Sequence, residues 1–260
     1  MRRLAMLAIL ACSGPLHAET HCATGSPAIP DGSGSVVWTV EAPPTERIIT
    51  QVLLLTRIDH PWVGDLSVRL TAPDGTSVRL LDRPGMPSSD WIGPWGCGGD
   101  DIVCLFDDLA GAAAESTCSL DAVPVLDGNL RPLESLSVFN GTIPSGVWSI
   151  EVTDHSFIDA GTIDQLCLTY TTAPDCNGNG IPDTADIDAG DSNDADGNGV
   201  PDECQCSGDT NGDLVVNVAD LLRVLEEWGC TQDCTADLNG DSNVDVTDLL
   251  AVIGGWGACR

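Results

Sequence analysis

Residues 65–81 read DLSVRLTAPDGTSVRLL. Apolar and polar side chains alternate on both sides of Pro73, Asp74 and Gly75, the pattern of two half-buried strands joined as a hairpin by a tight turn. The same period of two recurs in VVWTV at 36–40, VLLLTRI at 52–58, VWSIEV at 147–152 and IDQLCLTY at 163–170. Short strands at this spacing, with no helical pattern of any length between Ser35 and Thr172, predict a β-sandwich. About 150 residues are enough for one real core.

Beyond Tyr170 the composition changes. Residues 175–205, DCNGNGIPDTADIDAGDSNDADGNGVPDECQ, contain almost no core-forming side chains, yet DCNGNGIPD and DADGNGVPD repeat at an offset of 194 − 175 = 19. Numbered from each leading aspartate, oxygen-bearing side chains fall at positions 1, 3, 5 and 9. They are Asp175, Asn177, Asn179 and Asp183, then Asp194, Asp196, Asn198 and Asp202. That is the ligand spacing of a calcium loop, in which position 7, here Ile181 or Val200, offers its backbone carbonyl. Gly180 and Gly199 supply the sharp turn at position 6. Position 12 is Asp186 in the first loop and the weaker, uncharged Gln205 in the second.

The same register occurs twice more, in DTNGDLVVNVADLL and DLNGDSNVDVTDLL, at an offset of 237 − 209 = 28. The expected ligands are Asp209, Asn211, Asp213, Val215 (carbonyl), Asn217 and Asp220, and then Asp237, Asn239, Asp241, Asn243 (carbonyl), Asp245 and Asp248. Leu214 and Ser242 stand where glycine is usual, at a cost of roughly 1–2 kcal/mol for Leu214 if it must be left-handed. Each loop is followed by an apolar stripe at helical spacing: Val218, Leu221, Leu222, Leu225 and Trp228, copied as Val246, Leu249, Leu250, Ile253 and Trp256. Two short amphipathic helices are expected to pack these stripes on one another and to end at Gly229 and Gly257. Helix capping by Asp220 and Asp248 is the plainer reading, but it explains neither five side-chain oxygens per loop nor their repetition.

The chain has 40 acids against 10 bases, every base an arginine, for a net charge of −30. Charge-driven binding to nucleic acid or to an anionic membrane is thereby excluded, and cations are the natural partners. From Asp175 onward 19 acids face 2 bases. Close carboxylate pairs without a cation repel by about 4 kcal/mol at intermediate dielectric. The opening MRRLAMLAILACSGPLHA has two arginines, a short apolar run from Leu4 to Cys12 and a small residue at Ala18, the form of a secretory signal over 1–18. No segment is apolar over a length that spans a bilayer. Eleven of the 12 cysteines follow that run, so an exported chain carries a disulfide framework and at least one unpaired thiol. The duplication suggests Cys206 with Cys259 and Cys230 with Cys234. Cys97 with Cys118 and Cys176 with Cys204 are further guesses.

Three resemblances follow from these stretches. HPWVGDLSVRLTAPDGTSVRLLDRPG, GCGGDDIVCLFDDLA and PLESLSVFNGTIPSGVWSIEVTDHSFIDAGTIDQLCLTY resemble the P domain, or Homo B, found beside subtilisin-like catalytic domains. That resemblance implies a jelly-roll β-sandwich over 19–172 that carries no catalytic residues and assists folding, stability or substrate handling. Residues 173–205 are similar to thrombospondin type 3 calcium repeats. Residues 206–260 resemble a type I dockerin, a paired EF-hand-like module that docks to a cohesin-type partner when loaded with Ca2+. The resemblance implies that Val218, Ala219, Val246 and Thr247, at loop positions 10 and 11, face that partner. All three together look like the exported modular proteins of planctomycete-like bacteria.

The function expected on these grounds is that of a secreted, non-catalytic, calcium-binding protein with the sandwich as cargo. The alternatives are an accessory component of an extracellular serine-protease or polysaccharide-degrading system, or a surface adhesin. Ser77 lies in GTS, as subtilisin-type nucleophiles do, but in a hairpin turn that lacks the strand-to-helix context of a nucleophile. His60 and His155 sit in no metal-ligand motif and read as loop residues. Asp65, Asp107, Asp108, Asp154 and Asp159 mark loop ends, as solubilising acids or as a further calcium site. Trp62, Trp91 and Trp95 read as packing residues before a sugar-stacking platform.

Overall fold

Among the described residues, eleven strands precede Pro174: β1 (His17–Cys22), β2 (Ala28–Ile29), β3 (Ser35–Ala42), β4 (Ile48–Asp59), β5 (Leu66–Thr71), β6 (Ser77–Asp82), β7 (Ile102–Phe106), β8 (Ala112–Ala113), β9 (Leu126–Arg131), β10 (Gly146–Asp154) and β11 (Gly161–Ala173). The computed structural model describes residues 16–32, 34–85, 96–119, 122–194, 197, 199–206, 208–211, 215–232 and 234–258. It divides into two units, Pro15–Pro174 and the segment from Asp175 to Arg260. Strand β1 starts at His17, so a cut at Ala18 removes its first two residues.

The first unit is mainly β. One sheet runs β1-β11-β4-β7-β9-β8 with β2 on β11, and the other runs β3-β10-β5-β6. The hairpin expected at 65–81 is β5 and β6, closed by the Ala72 amide donating to the Thr76 carbonyl at 2.8 Å. Alternate side chains of both sheets meet in one core, among them Leu66, Val68, Leu70 and Val152 from one sheet and Leu54, Ile102, Phe106 and Leu168 from the other. Trp148 is fully buried, its indole N–H donates to the Pro144 carbonyl at 2.8 Å, and its ring meets Phe139 edge-on at 5.0 Å. The pairing is mixed: β9 runs parallel to both β7 and β8, and the other strand pairs of the two sheets are antiparallel.

The second unit contains α1 (Asp183–Ala189), β12 (Val215–Val216), α2 (Val218–Glu226), α3 (Val246–Gly254) and β13 (Gly257–Ala258). The duplication interlocks. Val216, at position 8 of one loop, pairs with Gly257 after α3. Its copy Val244 exchanges hydrogen bonds with Gly229 and Cys230 after α2, at 2.9 and 3.0 Å. Gly229 and Gly257, both at positive φ, therefore start the exchanged pairing instead of ending the helices, which stop at the caps Glu227 and Gly255.

The packing of the apolar stripes is corrected. Val218, Leu222, Leu225 and Trp228 are exposed, as are Val246, Leu250, Ile253 and Trp256. The buried core is Val216, Val224, Ala236, Val244 and Val252, with Leu221 and Leu249 packed against it. The reason is the carboxylate in each first turn. Asp220 and Asp248 are fully buried, so the residue one turn on, Val224 or Val252, shares their inward face, and the richer stripe rotates outward.

Cys97–Cys118, Cys176–Cys204 and Cys230–Cys234 are disulfides, as expected. Cys206 is disulfide-bonded too, and its expected partner Cys259 lies outside the described residues. Cys22–Cys167, joining directly opposed residues of β1 and β11, was not foreseen. Cys104 is free and buried. No helix among the described residues is long and apolar enough to cross a membrane.

Trp148→Ala is expected to lower unfolding free energy by about 3–5 kcal/mol in urea denaturation of the whole chain. Burial pushes the Cys104 thiol up to about 12, so iodoacetamide is expected to label it only after denaturation, as read by peptide mass spectrometry.

Candidate functional site

Among the described residues, three of the four acidic loops share one local construction. In the first, Asp175 Oδ1 accepts the amides of Gly178 and Asn179 and Oδ2 accepts that of Gly180, at 2.8–3.2 Å. Asn177 and Asn179 each accept an amide two residues on, at 3.0 and 2.7 Å. These turns curl the chain around its own side chains, which requires positive φ at Gly178 and Gly180. In the second loop Asp194 accepts the amides of Gly197 and Gly199, both at 2.9 Å. In the fourth, Asp237 Oδ2 accepts the Ser242 amide at 2.9 Å, and Ser242 reaches φ 67° without being glycine. Asp196, Asn198, Asp213 and Leu214 lie outside the described residues.

The position-12 residues differ. Asp186 is buried, and its Oδ2 accepts Nδ2 of Asn177 and of Asn179 at 3.1 and 2.8 Å. Asp183 accepts the Cys176 amide at 2.8 Å. Asp220 and Asp248 instead close capping boxes with Asn217 and Asp245, and each also receives two amides from the start of its loop, Thr210 and Asn211 or Leu238 and Asn239. Burial alone would raise the Asp220 carboxyl. The amides of Asn217, Thr210 and Asn211 and the Thr210 hydroxyl outweigh it and hold the group below its ordinary value. The Thr247 amide and hydroxyl do the same for Asp245. The capping role and the loop role thus fall on the same residues. Asp202 begins a short 3-10 turn after the second loop, Val215 lies in β12, and Asn243 Nδ2 donates to Asp245 at 3.1 Å. Asn239 Nδ2 donates to Asp241 at 3.0 Å.

Buried oxygen is left over in two of the loops. Asp186 Oδ1 and Asp237 Oδ1 are buried without any hydrogen-bond partner, and an unpaired buried carboxylate oxygen calls for an ion or water. The loops carry carboxylate and side-chain amide oxygens, the donor types of a hard cation, although Asn177 and Asn179 here turn Nδ2 toward Asp186. Cys176, Asp183 and Cys204 also bring donor atoms together, but the two sulfurs are joined as a disulfide and cannot ligate. Beside the C-terminal loops, Val218 and Ala219 and their copies Val246 and Thr247 are exposed. Thr247 is tied into its loop by Asn239 and Asp245 at 2.8 and 2.7 Å.

In the first unit no catalytic triad assembles among the described residues. His60, buried, has Nε2 at 3.6 Å from Asp154 Oδ2 and hydrogen-bonds no hydroxyl. His155 holds the Ser67 hydroxyl at 2.8 Å and no carboxylate. Ser77 accepts from Arg69 at 3.3 Å. Asp65 and Asp154 are buried interior groups, not solubilising loop acids. Burial, and then Asp154, pushes the Asp65 carboxyl above its ordinary value. A cleft of about 390 Å³ is lined by Leu16, Val52, Leu109, Asp107 and Asp108, but Asp108 is committed to Ser135, Leu136 and Ser137 and Asp107 to Leu109 and Asn129. Trp62 packs over Gly98, where a side chain would collide with its ring. Trp91 and Trp95 lie outside the described residues.

Residues 49–92, from β4 through the β5–β6 hairpin, match the family described as the proprotein convertase P-domain. No curated protein matches the chain. Among solved structures, that of the Aeromonas sobria serine protease and chaperone complex is similar over 63% of this chain and 28% of its own, at 19% identity and a TM-score of 0.38. The serine protease of Aeromonas sobria gives 61%, 27%, 19% and 0.34. A β-porphyranase of glycoside hydrolase family 86 from the gut bacterium Bacteroides plebeius gives 62%, 21%, 12% and 0.30. The chain thus spans under a third of each of these proteins, and nothing about activity follows from likeness at that level.

Asp186→Asn is expected to weaken any calcium binding by the first loop about tenfold in titration calorimetry while leaving the chelated protein no less stable, because it removes a buried charge that faces no cation and keeps an oxygen to accept from Asn177 and Asn179.

Proposed function

We propose that this chain is an accessory component of an extracellular serine-protease system, a P-domain-like body without chemistry of its own. The match of residues 49–92 carries this reading, and the disulfides agree with an oxidising, extracellular compartment. On this reading the two sheets form a jelly-roll sandwich that steadies a catalytic partner. The expected test is capture on the immobilised chain from the producing organism's culture medium, followed by a fluorophosphonate probe. A labelled serine hydrolase supports the reading, and its absence from the eluate overturns it.

A second element belongs to the same proposal. The C-terminal pair acts as a dockerin-like plug that holds Ca2+ in its loops and presents its helix faces to a cohesin-type partner. Two observations support it: the leftover buried oxygen on Asp237, and the twice-repeated apolar face left exposed on α2 and α3. At calcium about 100 times a loop's dissociation constant, binding adds about 2.7 kcal/mol per site, enough to decide whether so small a core stays folded. Chelation is expected to reduce helical circular dichroism. Leu222→Asp with Leu250→Asp is expected to abolish calcium-dependent capture while the spectrum stays intact, and undiminished capture by that variant would refute docking through these faces.

A further inference from the structure

A separate cluster lies at the edge of the first unit. Strand β1 reads HAETHC, so His17, Glu19 and His21 alternate onto one side of it, and its neighbour β11 places Tyr170 directly opposite Glu19. The chain has one tyrosine and four histidines, and the tyrosine and two of those histidines meet at this single carboxylate. His21 Nε2 lies 3.1 Å from Glu19 Oε2, the Tyr170 hydroxyl lies 3.2 Å from that same oxygen, and the hydroxyl and Nε2 are 2.9 Å apart. The imidazole and phenol rings stack at 5.4 Å, so both polar tips are held beside one another.

Three close contacts need three protons to be hydrogen bonds in their own right, and this triangle has two. The phenol brings one, a neutral imidazole at most one on Nε2, and the carboxylate none. A cation seated just off the plane of the triangle satisfies all three at once. Donors about 2.0–2.1 Å from a shared ion stand about 2.9 Å apart at right angles and about 3.3 Å apart at the tetrahedral angle, and the observed edges fall in that interval. We infer that Glu19, His21 and Tyr170 form a binding site for a divalent transition-metal ion of the zinc class, distinct from the acidic loops. The imidazole selects such an ion over calcium, which takes oxygen alone.

His17 is not part of the set, although its Nε2 lies 3.1 Å from Glu19 Oε1. It meets the other carboxylate oxygen, not the Oε2 that His21 and Tyr170 share, and it lies before the expected cut at Ala18. The three proposed ligands all lie beyond Ala18. Glu19 and His21 are about a quarter exposed, at 27% and 23% of their side chains, so an ion reaches them from solvent. Tyr170 is buried and supplies the fixed wall. Bound there, the ion ties edge strand β1 to β11 beside the Cys22–Cys167 disulfide.

The test is zinc chloride titrated into the calcium-saturated full chain, read by calorimetry and by the ring resonances of the single tyrosine. One equivalent is expected to bind with a shift of those resonances. Affinity is expected to fall about tenfold or more in His21→Ala and in Tyr170→Phe, and to be unchanged in His155→Ala, with circular dichroism confirming that each variant is folded. Should Tyr170→Phe fail to fold, His21→Ala at its partly exposed position decides alone. Unmoved tyrosine resonances, wild-type binding by His21→Ala, or a loss in His155→Ala as large as in His21→Ala would each overturn the site.

Discussion

Backbone amides aimed at carboxylates hold this molecule's turns in shape. With four acids for every arginine, ion pairs cannot neutralise them, and a clear guanidinium–carboxylate cluster is the one in which Arg79 bridges Asp82 and Glu134. The amides take over that work. Asp154 accepts from Gly32 and Ser156, Asp108 from Leu136 and Ser137, and Asp175 from three successive loop residues. Hydrogen bonds to a charged group contribute roughly 1.5–3 kcal/mol each, which is what allows buried aspartates in both units.

The same interaction fixes which side of the C-terminal helices turns inward. A helix presents about three side chains per turn, and apolarity alone favours burying Val218, Leu222 and Leu225. Asp220 must instead reach the amides of Thr210, Asn211 and Asn217, and the helix follows it. The result is a small core of valines with a larger apolar face outside. In a protein so strongly acidic that face does not favour a second copy of itself, because like charge opposes the approach.

Much was legible because it is local. The hairpin at 65–81, the strand alternation and the loop registers depend on residues within a few positions of one another. The Cys230–Cys234 bridge does too, and Cys97–Cys118 spans 21 residues. What escaped the sequence is long-range. Cys22 finds Cys167 across 145 residues, and Glu19 finds Tyr170 across 151. The two histidines at 60 and 155 also parted in an unforeseen way, His60 toward Asp154 and His155 toward Ser67, because His60 follows the end of β4 and His155 the end of β10, beside the start of β5.

The sequence by itself determined the kinds of element and the chemistry available in each. Side-chain period sets strand or helix, and an Asp/Asn/Gly spacing sets a curled oxygen-rich loop whatever surrounds it. Only the tertiary structure decided which faces those elements bury and which distant groups meet. Register between strands, and the rotation of a helix about its own axis, are chosen by the whole set of contacts competing for one interior, a competition that no local pattern contains.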